Sequence, residues 1–297
     1  MKFQLRPADA SNPSYVSRYK DLQSPQIQGS LKFCYKNVLI EGEADYAWVL
    51  SGKADIFYQL NFNQVFYPAN YTINRIRGDL FDTVGQIGYQ IQLFDISHYQ
   101  LWIIPRFGGS YHHQSVKHGP ASPDLAVFPP PFPPNFNSVS QSIDLTVGRI
   151  RWDWYGPFLG GDIRVCFPKY FVFEAGYAYH WLDLKASQNL NRTIVVTSPF
   201  IVGDITLFNT NATSGKNRDV WGHTAKAKII FLITQNWKID FWGKFLYYKT
   251  KERRKYHSNS EITITPPIGP DTVESQITFF KTRWDTFQGG LNIVYCF

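Results

Sequence analysis

The sequence contains no apolar run that approaches the roughly 18 residues needed for a membrane-spanning helix. Its best short run covers only residues 229–233, and the mean hydropathy of the chain is −0.26. The helical pattern, with apolar residues at positions i, i+3 and i+4, is also scarce. These absences argue against a helical membrane protein.

Signals that would place the chain in other classes are equally scarce. The N-terminus, MKFQLRPADASNPSY, lacks the apolar stretch of a secretory signal peptide, so an exported protein would already have lost its signal. The net charge of +7 is scattered, with one basic run at 249–255, whereas nucleic-acid binding needs a denser basic face. The three cysteines lack the C-x-x-C spacing of a zinc site. We therefore predict no nucleic-acid partner, no metal and no cofactor.

Aromatic residues, in contrast, are abundant and follow a period of two. They make up 17 % of the chain, with 24 Phe, 18 Tyr and 9 Trp, which is more than one ordinary core holds. In FVFEAGYAYHWLD at 171–183 and WKIDFWGKFLYYK at 237–249, apolar residues occupy one set of alternate positions. Such alternation marks a β-strand with one apolar face, and it recurs along most of the chain.

The turns between these segments differ in length at the two ends of the strands. Short turns are predicted at 51–54, 95–98, 168–169 and 235–237, and long loops near 63–78, 114–140, 186–217 and 257–276. This asymmetry predicts an all-β fold, an antiparallel up-and-down transmembrane β-barrel of about ten strands, with eight or twelve as alternatives. The barrel would occupy residues 25–297, after a periplasmic or partly disordered segment at 1–24.

Aromatic residues also cluster near the predicted strand ends, where the girdles of a membrane barrel lie. The clusters are Trp152, Trp154 and Tyr155; Tyr177, Tyr179 and Trp181; and Tyr247 and Tyr248. A soluble β-sandwich or a lipocalin-like barrel would instead turn these apolar faces inward. The long aromatic faces and the unequal turns favour a barrel in the bacterial outer membrane, with lipid as its partner.

Three stretches resemble known outer-membrane proteins. The last strand, with Leu291, Ile293, Tyr295 and Phe297, resembles the terminal signal that the barrel assembly machinery of Gram-negative bacteria reads. RWDWYGPFLGGDIRV at 151–165 and FVFEAGYAYHWLD at 171–183, with Arg-Trp-Asp and Gly-Gly again at 283–290, resemble the Protochlamydia outer membrane protein (Pom) family. That likeness covers about residues 38–297 and implies a porin. The ten-strand layout also resembles the omptin proteases.

The positions opposite the aromatic face are polar and would line the lumen. The predicted pore-lining residues are Glu41, Glu43, Asp45, Gln90, Arg106, Asp162, Arg164, Glu174, Lys226, Lys228, Asp240 and Lys244. Acids gather on an early strand and lysines on late strands, and charged walls of this kind tune which ions pass a pore. We therefore predict a channel for small hydrophilic solutes or ions. In a narrow barrel the same side chains could instead pair and close the lumen.

Two other functions stay open. The long loops would suit adhesion or host interaction by a barrel without a pore. An omptin-like protease would need close acids that face an Asp-His pair, and the candidates are Asp79, Asp82, His180 and Asp183. Their Asp-x-x-Asp and His-x-x-Asp spacings depart from the omptin pattern, which has one intervening residue, and place each pair on opposite strand faces. We therefore predict no catalytic residues and no enzymatic activity.

Overall fold

The structure is a computed structural model in which all assigned elements are β-strands. It describes residues 2–6, 15–62, 65–96, 99–119, 141–144, 148–167, 171–197, 204–234, 236–251, 256–265, 271–277 and 279–295. Among these residues there is no helix long and apolar enough to cross a membrane.

The strands follow one another with few interruptions. They are β1 (Lys2–Arg6), β2 (Tyr15–Gln23), β3 (Gln26–Tyr35), β4 (Val38–Val49), β5 (Ser51–Phe62), β6 (Val65–Ile73), β7 (Ile76–Tyr89), β8 (Ile91–Ile96), β9 (Tyr99–His118), β10 (Gln141–Asp144), β11 (Arg149–Phe167), β12 (Phe171–Thr197), β13 (Asp204–Leu232), β14 (Trp237–Thr250), β15 (Tyr256–Thr265), β16 (Asp271–Ile277) and β17 (Phe279–Tyr295).

The strands form a single antiparallel sheet that curls on itself. Strands β2 and β3 pair with β5 and β4, so that 15–35 and 38–62 make one long hairpin. From β4 the sheet continues through β7, β9, β11, β12, β13 and β14 to β17. Strand β1 then pairs with both β17 and β2 and closes the barrel at the end opposite the short turns. Nearer the short turns, β3 pairs only with β4 in the described part of the chain.

Alternate residues of each strand face opposite sides of this wall, as the sequence pattern predicts. On β14, the outward Phe241 and Phe245 are exposed, whereas the intervening Lys244 and the neighbouring Asp240 are buried in the interior. The outward apolar band includes Ile40, Ile87, Ile103, Phe107, Leu159, Ile163, Phe173, Ile229, Phe287 and Leu291. The prediction of an all-β antiparallel transmembrane barrel is confirmed.

The strands are longer than the sequence pattern indicates. Strands enter all four segments predicted as long loops: β6 and β7 in 63–78, β9 in 114–140, β12 and β13 in 186–217, and β15 and β16 in 257–276. The alternation fades there because a wall that meets water needs no apolar outer face. Apolar periodicity therefore reports the membrane-embedded part of a strand and misses its continuation.

The beginning of the chain also differs from the prediction. The segment 1–24, expected to be periplasmic or partly disordered, contributes β1 and β2 to the barrel wall. The short turn predicted at 51–54 is absent, because β5 begins at Ser51 and continues the line of β4. The polar and small residues at 51–54 lie on a strand outside the apolar band, where the outer face need not be apolar.

The predicted aromatic girdle divides between the two faces of the wall. Tyr177 and Trp181 lie on the outside and are exposed, as a girdle requires. Trp152, Trp154 and Tyr248 instead point inward and are completely buried. Their assignment to the girdle was wrong, because clustering near a strand end does not by itself reveal which face a ring occupies.

Candidate functional site: the barrel interior

The predicted pore-lining side chains lie inside the barrel wall. Asp45, Arg106, Asp162, Glu174, Asp240 and Lys244 are buried, and Glu41, Glu43, Arg164, Lys226 and Lys228 are half-buried. Gln90 is also half-buried, at the break between β7 and β8. These positions fix the location of the residues, while a pore function for them stays a prediction.

Arg106 of β9 is the centre of an ion-pair network in the interior. Its guanidinium lies 2.6 Å from the carboxylate of Glu41 and 3.5 Å from that of Glu174, and it also contacts Asp162. The Glu41 carboxylate additionally accepts a hydrogen bond of 2.9 Å from Gln86. Strands β4, β9, β11 and β12 are therefore linked across the lumen through one side chain.

The other charged lumen residues extend this network. Arg164 lies 2.8 Å from Glu174, and Lys226 lies 3.3 Å from Asp162. Two further pairs involve β14: Lys244 with Glu43 at 3.1 Å and Asp45 at 3.8 Å, and Asp240 with Lys228 at 3.8 Å. Every charged residue of the predicted set thus has an opposite charge within ion-pair distance. The network, called the ion-paired layer below, satisfies charges that would be costly to bury alone.

A layer of hydrogen-bonded histidines lies next to the ion-paired layer. Asp82 of β7 lies 2.9 Å from His112 Nδ1, and His112 Nε2 lies 2.7 Å from the hydroxyl of Tyr248. The carboxylate of Asp82 also accepts a hydrogen bond of 3.2 Å from Gln288. The arrangement fixes the imidazole orientation from both sides.

A second histidine, His180 of β12, is held in the same layer. Its Nδ1 lies 3.2 Å from the hydroxyl of Ser110, and its Nε2 lies 2.8 Å from the hydroxyl of Thr224. Ser110 and His180 are both buried. A hydroxyl beside a histidine can support nucleophilic chemistry, and here both groups are buried in the barrel interior.

Beyond the histidines the interior is filled by apolar side chains. This apolar layer comprises Tyr19, Val49, Ala54, Ile73, Ile76, Val116, Ile150, Trp152, Trp154, Leu182, Leu184, Ala186, Val220, Leu246, Tyr248 and Trp284. Its members come from β2, β4, β5, β6, β7, β9, β11, β12, β13, β14 and β17. Because the layer draws on strands from all around the barrel, it crosses the whole lumen.

A small cavity lies between the ion-paired layer and the apolar layer. Its volume is about 50 Å³, and Arg106, His112, His180, Lys226 and Lys244 are among its lining residues. That volume holds a few water molecules, since one water needs on the order of 10–15 Å³. No group of three or more His, Cys, Asp or Glu in the described part of the chain is arranged to hold a metal ion.

The residues suggested by the omptin resemblance do not converge. Asp82 and His180 face the interior in separate contacts, whereas Asp79 and Asp183 are on the outer wall. On that outer wall His113 lies 2.6 Å from Asp153 and 3.7 Å from Asp79. Sequence reasoning missed His112 and His113 as partners of these acids, although the strand parity of 112 and 113 could have separated their faces.

The predicted assembly signal lies at the end of β17. Leu291, Ile293 and Tyr295 point outward and are exposed, at the end of the barrel that carries the short turns. Phe297 lies outside the described residues. Recognition of this strand by the assembly machinery stays a prediction.

Comparisons with known proteins place the barrel. The sequence matches the Protochlamydia outer membrane protein family, Pom, over residues 1–297, and no curated protein matches it. Among solved structures, the chain is similar to the outer membrane protease OmpT from Escherichia coli, with a TM-score of 0.63 and 12 % sequence identity. That match covers 100 % of this chain and 92 % of the protease. The resemblances to the Pom family and to the omptin proteases are confirmed. The protein is located in the bacterial outer membrane, in contact with its lipid.

The prediction of no enzymatic activity is wrong. It relied on the spacing of Asp79, Asp82, His180 and Asp183, whereas the whole chain has the fold of an outer membrane protease. Proteolysis therefore belongs among the activities of this barrel that require a test. At 12 % identity the likeness establishes the fold and assigns no catalytic residue.

Proposed function

The chain belongs to the Protochlamydia outer membrane protein family, and we propose that it is a closed barrel that acts at the cell surface through its extracellular half. The apolar layer carries this proposal, because Trp152, Trp154 and Tyr248 cross the lumen with exposed fractions of 0 %. Protein interiors packed in this way leave few voids larger than a water molecule. Hydrated solutes then have no path, and ligands meet the protein from outside.

The length of the strands supports a surface role. From Trp181 in the outer girdle, β12 continues to Thr197, which at about 3.3 Å per residue extends roughly 50 Å along the strand. Strand β13 begins at Asp204 and pairs with β12 over this whole extension. The apolar band of a membrane barrel is only about 25 Å tall. A large part of the wall therefore stands outside the membrane, where it can bind macromolecules.

Cleavage of extracellular polypeptides is the activity to test first within this proposal. The support is the fold shared with an outer membrane protease. The test is incubation of the folded protein in detergent or lipid with an unstructured polypeptide, followed by mass spectrometry of the products. Cleavage or stable binding is expected, and the absence of both would contradict action on polypeptides at the cell surface.

The channel predicted from the sequence is the second candidate. It is favoured by the opposed charges of the lumen, with Glu41 and Glu43 on β4 facing Arg106 on β9 and Lys244 on β14. For this function the apolar layer would have to open or move. A charged lumen is compatible with ion selectivity, but the same contacts also close the barrel.

Conductance in planar bilayers distinguishes the two candidates. The wild-type protein is expected to give no stable current steps, whereas Trp152→Ala combined with Trp154→Ala is expected to leak, because it removes the largest side chains of the apolar layer. Tyr155→Ala is the matched control, since Tyr155 neighbours Trp154 on the outer wall. Stable steps from the wild type, unchanged in the double variant, would contradict the closed barrel and support the channel.

A further inference from the structure

The barrel wall has a gap between 284–295 of β17 and 26–35 of β3, which we call the slot. Strand β1 pairs with β17 only as far as Arg283. Beyond that residue, in the described part of the chain, β17 pairs with β14 alone and β3 with β4 alone. At the other end of the same gap, β1 pairs with both β17 and β2. The slot therefore continues the place that β1 occupies, and at that end it is one strand wide.

Side-chain exposure marks both edges of the slot. The outward residues Ile229 and Phe241 have a strand on each side and are 39 % and 50 % exposed. The outward residues Leu31 of β3 and Phe287 of β17 are 83 % and 76 % exposed. A neighbouring strand covers part of each side chain beside it, so the higher exposure follows from a neighbour that the two edges lack.

Backbone hydrogen-bonding groups of β3 also face the slot. The Trp48 N–H donates to the Pro25 carbonyl at 3.1 Å, and the same register continues along β3 and β4. Alternate residues of an antiparallel strand bond to opposite neighbours. The residues of β3 whose N–H and C=O groups point into the slot are therefore Gln26, Gln28, Ser30, Lys32 and Cys34. The hydrocarbon region offers no water to such groups, so an occupant has to supply backbone hydrogen bonds.

Strand direction restricts what can occupy the slot. Strand β1 is antiparallel to β17 and to β2, and β3 continues β2. Strands β17 and β3 thus run in the same direction, and their direct pairing would be parallel in a barrel type that is antiparallel throughout. A second copy could offer only an edge strand already bonded to its own wall, which cannot pair on both sides. An acyl chain offers no hydrogen bonds. A single extended polypeptide strand meets all these conditions.

The side chains around the slot define the chemistry of that strand. Its outward residues should be apolar, like those of both edges. Inside the wall, Gln28 and Gln288 each have a buried side-chain oxygen without a hydrogen-bond partner among the described residues. Lys32 shares the inward parity of Gln28, and no acid in the described part of the chain lies within ion-pair distance of it. Its cross-strand neighbour Glu41 is held by Arg106 at 2.6 Å. Inward hydroxyl groups and one acid beside Lys32 would therefore complement the slot.

We propose that the slot is a docking site for one extended strand of a partner polypeptide, which enters in line with β1 and completes the wall. The strand runs antiparallel to both β17 and β3, so its carboxyl end meets the amino end of β1. Strand addition of this kind obtains affinity from main-chain hydrogen bonds and specificity from alternate side chains. The slot lies on the short-turn side of the apolar layer, so the proposed closure of the lumen does not depend on it.

The test uses the folded full chain in detergent and a labelled synthetic peptide as long as the edge at 284–295. The peptide has Val at outward positions, Thr at inward positions and one Glu near its amino end, which the antiparallel orientation places beside Lys32. A control peptide has the same composition without the alternation. Fluorescence anisotropy measures binding, and hydrogen exchange followed by NMR reports which backbone N–H groups become protected.

The alternating peptide is expected to bind at least about tenfold more tightly than the control peptide and to slow exchange at Gln28, Ser30 and Lys32. Ser30→Pro removes an N–H that faces the slot, and an edge strand tolerates proline, so this variant should fold and bind about tenfold more weakly. Ser30→Ala keeps the N–H and should bind like the wild type. A peptide with Lys in place of Glu should bind more weakly, and Lys32→Glu should reverse that preference.

Four results would overturn the proposal. Equal binding of the alternating and control peptides would show that the slot does not select a strand, and equal binding by Ser30→Pro and Ser30→Ala would place the peptide elsewhere. Slow exchange at Gln28, Ser30 and Lys32 in the free protein would mean that this edge is already paired. A dimer in native mass spectrometry that the peptide separates would assign the slot to a second copy of the chain.

Discussion

The ion-paired layer and the apolar layer occupy the same barrel interior and are built from the same strands, but they close it by different means. In the ion-paired layer, Arg106 alone contacts three acids from three other strands. In the apolar layer, side chains such as Trp154 and Leu184 fill space without charge. Buried ion pairs depend on every partner being present, whereas apolar packing depends on volume. The two layers should therefore respond differently to substitution.

The largest effect is expected at the centre of the ion-paired layer. Arg106→Met keeps side-chain length but leaves Glu41 with only the hydrogen bond from Gln86. We expect the free energy of unfolding to fall by about 3–5 kcal/mol, because Glu41 loses its only ion-pair partner among the described residues, while Asp162 and Glu174 each lose one of two. Urea unfolding followed by tryptophan fluorescence measures the loss.

Lys226→Met is the control for that substitution. Lys226 is 32 % exposed and lies 3.3 Å from Asp162, which keeps Arg106 as a second cationic partner. Its replacement should lower the free energy of unfolding by about 1 kcal/mol or less. Equal losses of unfolding free energy in the two variants would show that Arg106 has no central role in the ion-paired layer.

A smaller effect is expected where the apolar layer meets the histidines. Tyr248→Phe keeps the buried ring but removes the hydroxyl that lies 2.7 Å from His112. The expected loss is about 1–2 kcal/mol, because His112 Nε2 stays buried without this partner. Tyr247→Phe, one residue away on the outer wall, should change stability by less than about 0.5 kcal/mol. A larger loss for Tyr247→Phe would contradict the assignment of the two faces.

The smallest effect is expected outside both layers, on the exposed outer face of the wall. Lys20 and Asp55 form an ion pair of 2.5 Å, but the two side chains are 55 % and 43 % exposed. In neutral detergent, Lys20→Gln should lower the free energy of unfolding by roughly 0–1 kcal/mol, because solvent screens exposed pairs. Thermal unfolding measured by heat-modifiable gel migration is sensitive enough to compare it with Arg106→Met. A loss as large as that of Arg106→Met would show that burial does not determine the cost.

The sequence predicted the barrel and the ion-paired layer better than the apolar layer. Strand parity placed Glu41, Arg106 and Lys244 inside, because lipid on one face forces polar residues to the other. The same parity could not assign Trp152 and Trp154, since aromatic side chains suit both the girdle and a packed interior. Outside the membrane the alternation of apolar and polar residues weakens further. The sequence pattern therefore missed β12 and β13 in the segment 186–217, which it predicted as a loop. Pairing across the lumen depends on the curvature of the sheet, which no single strand encodes.

The apolar layer also has a consequence for how the protein reaches its native state. Tyr19 of β2 and Trp284 of β17 belong to the same layer although they lie near opposite ends of the chain. Contacts between residues so far apart in sequence form late and slow folding. The outer apolar band could enter the bilayer strand by strand, but the interior can pack only after the last strand has joined the first. The apolar layer can therefore be complete only after the whole wall has been synthesised and inserted.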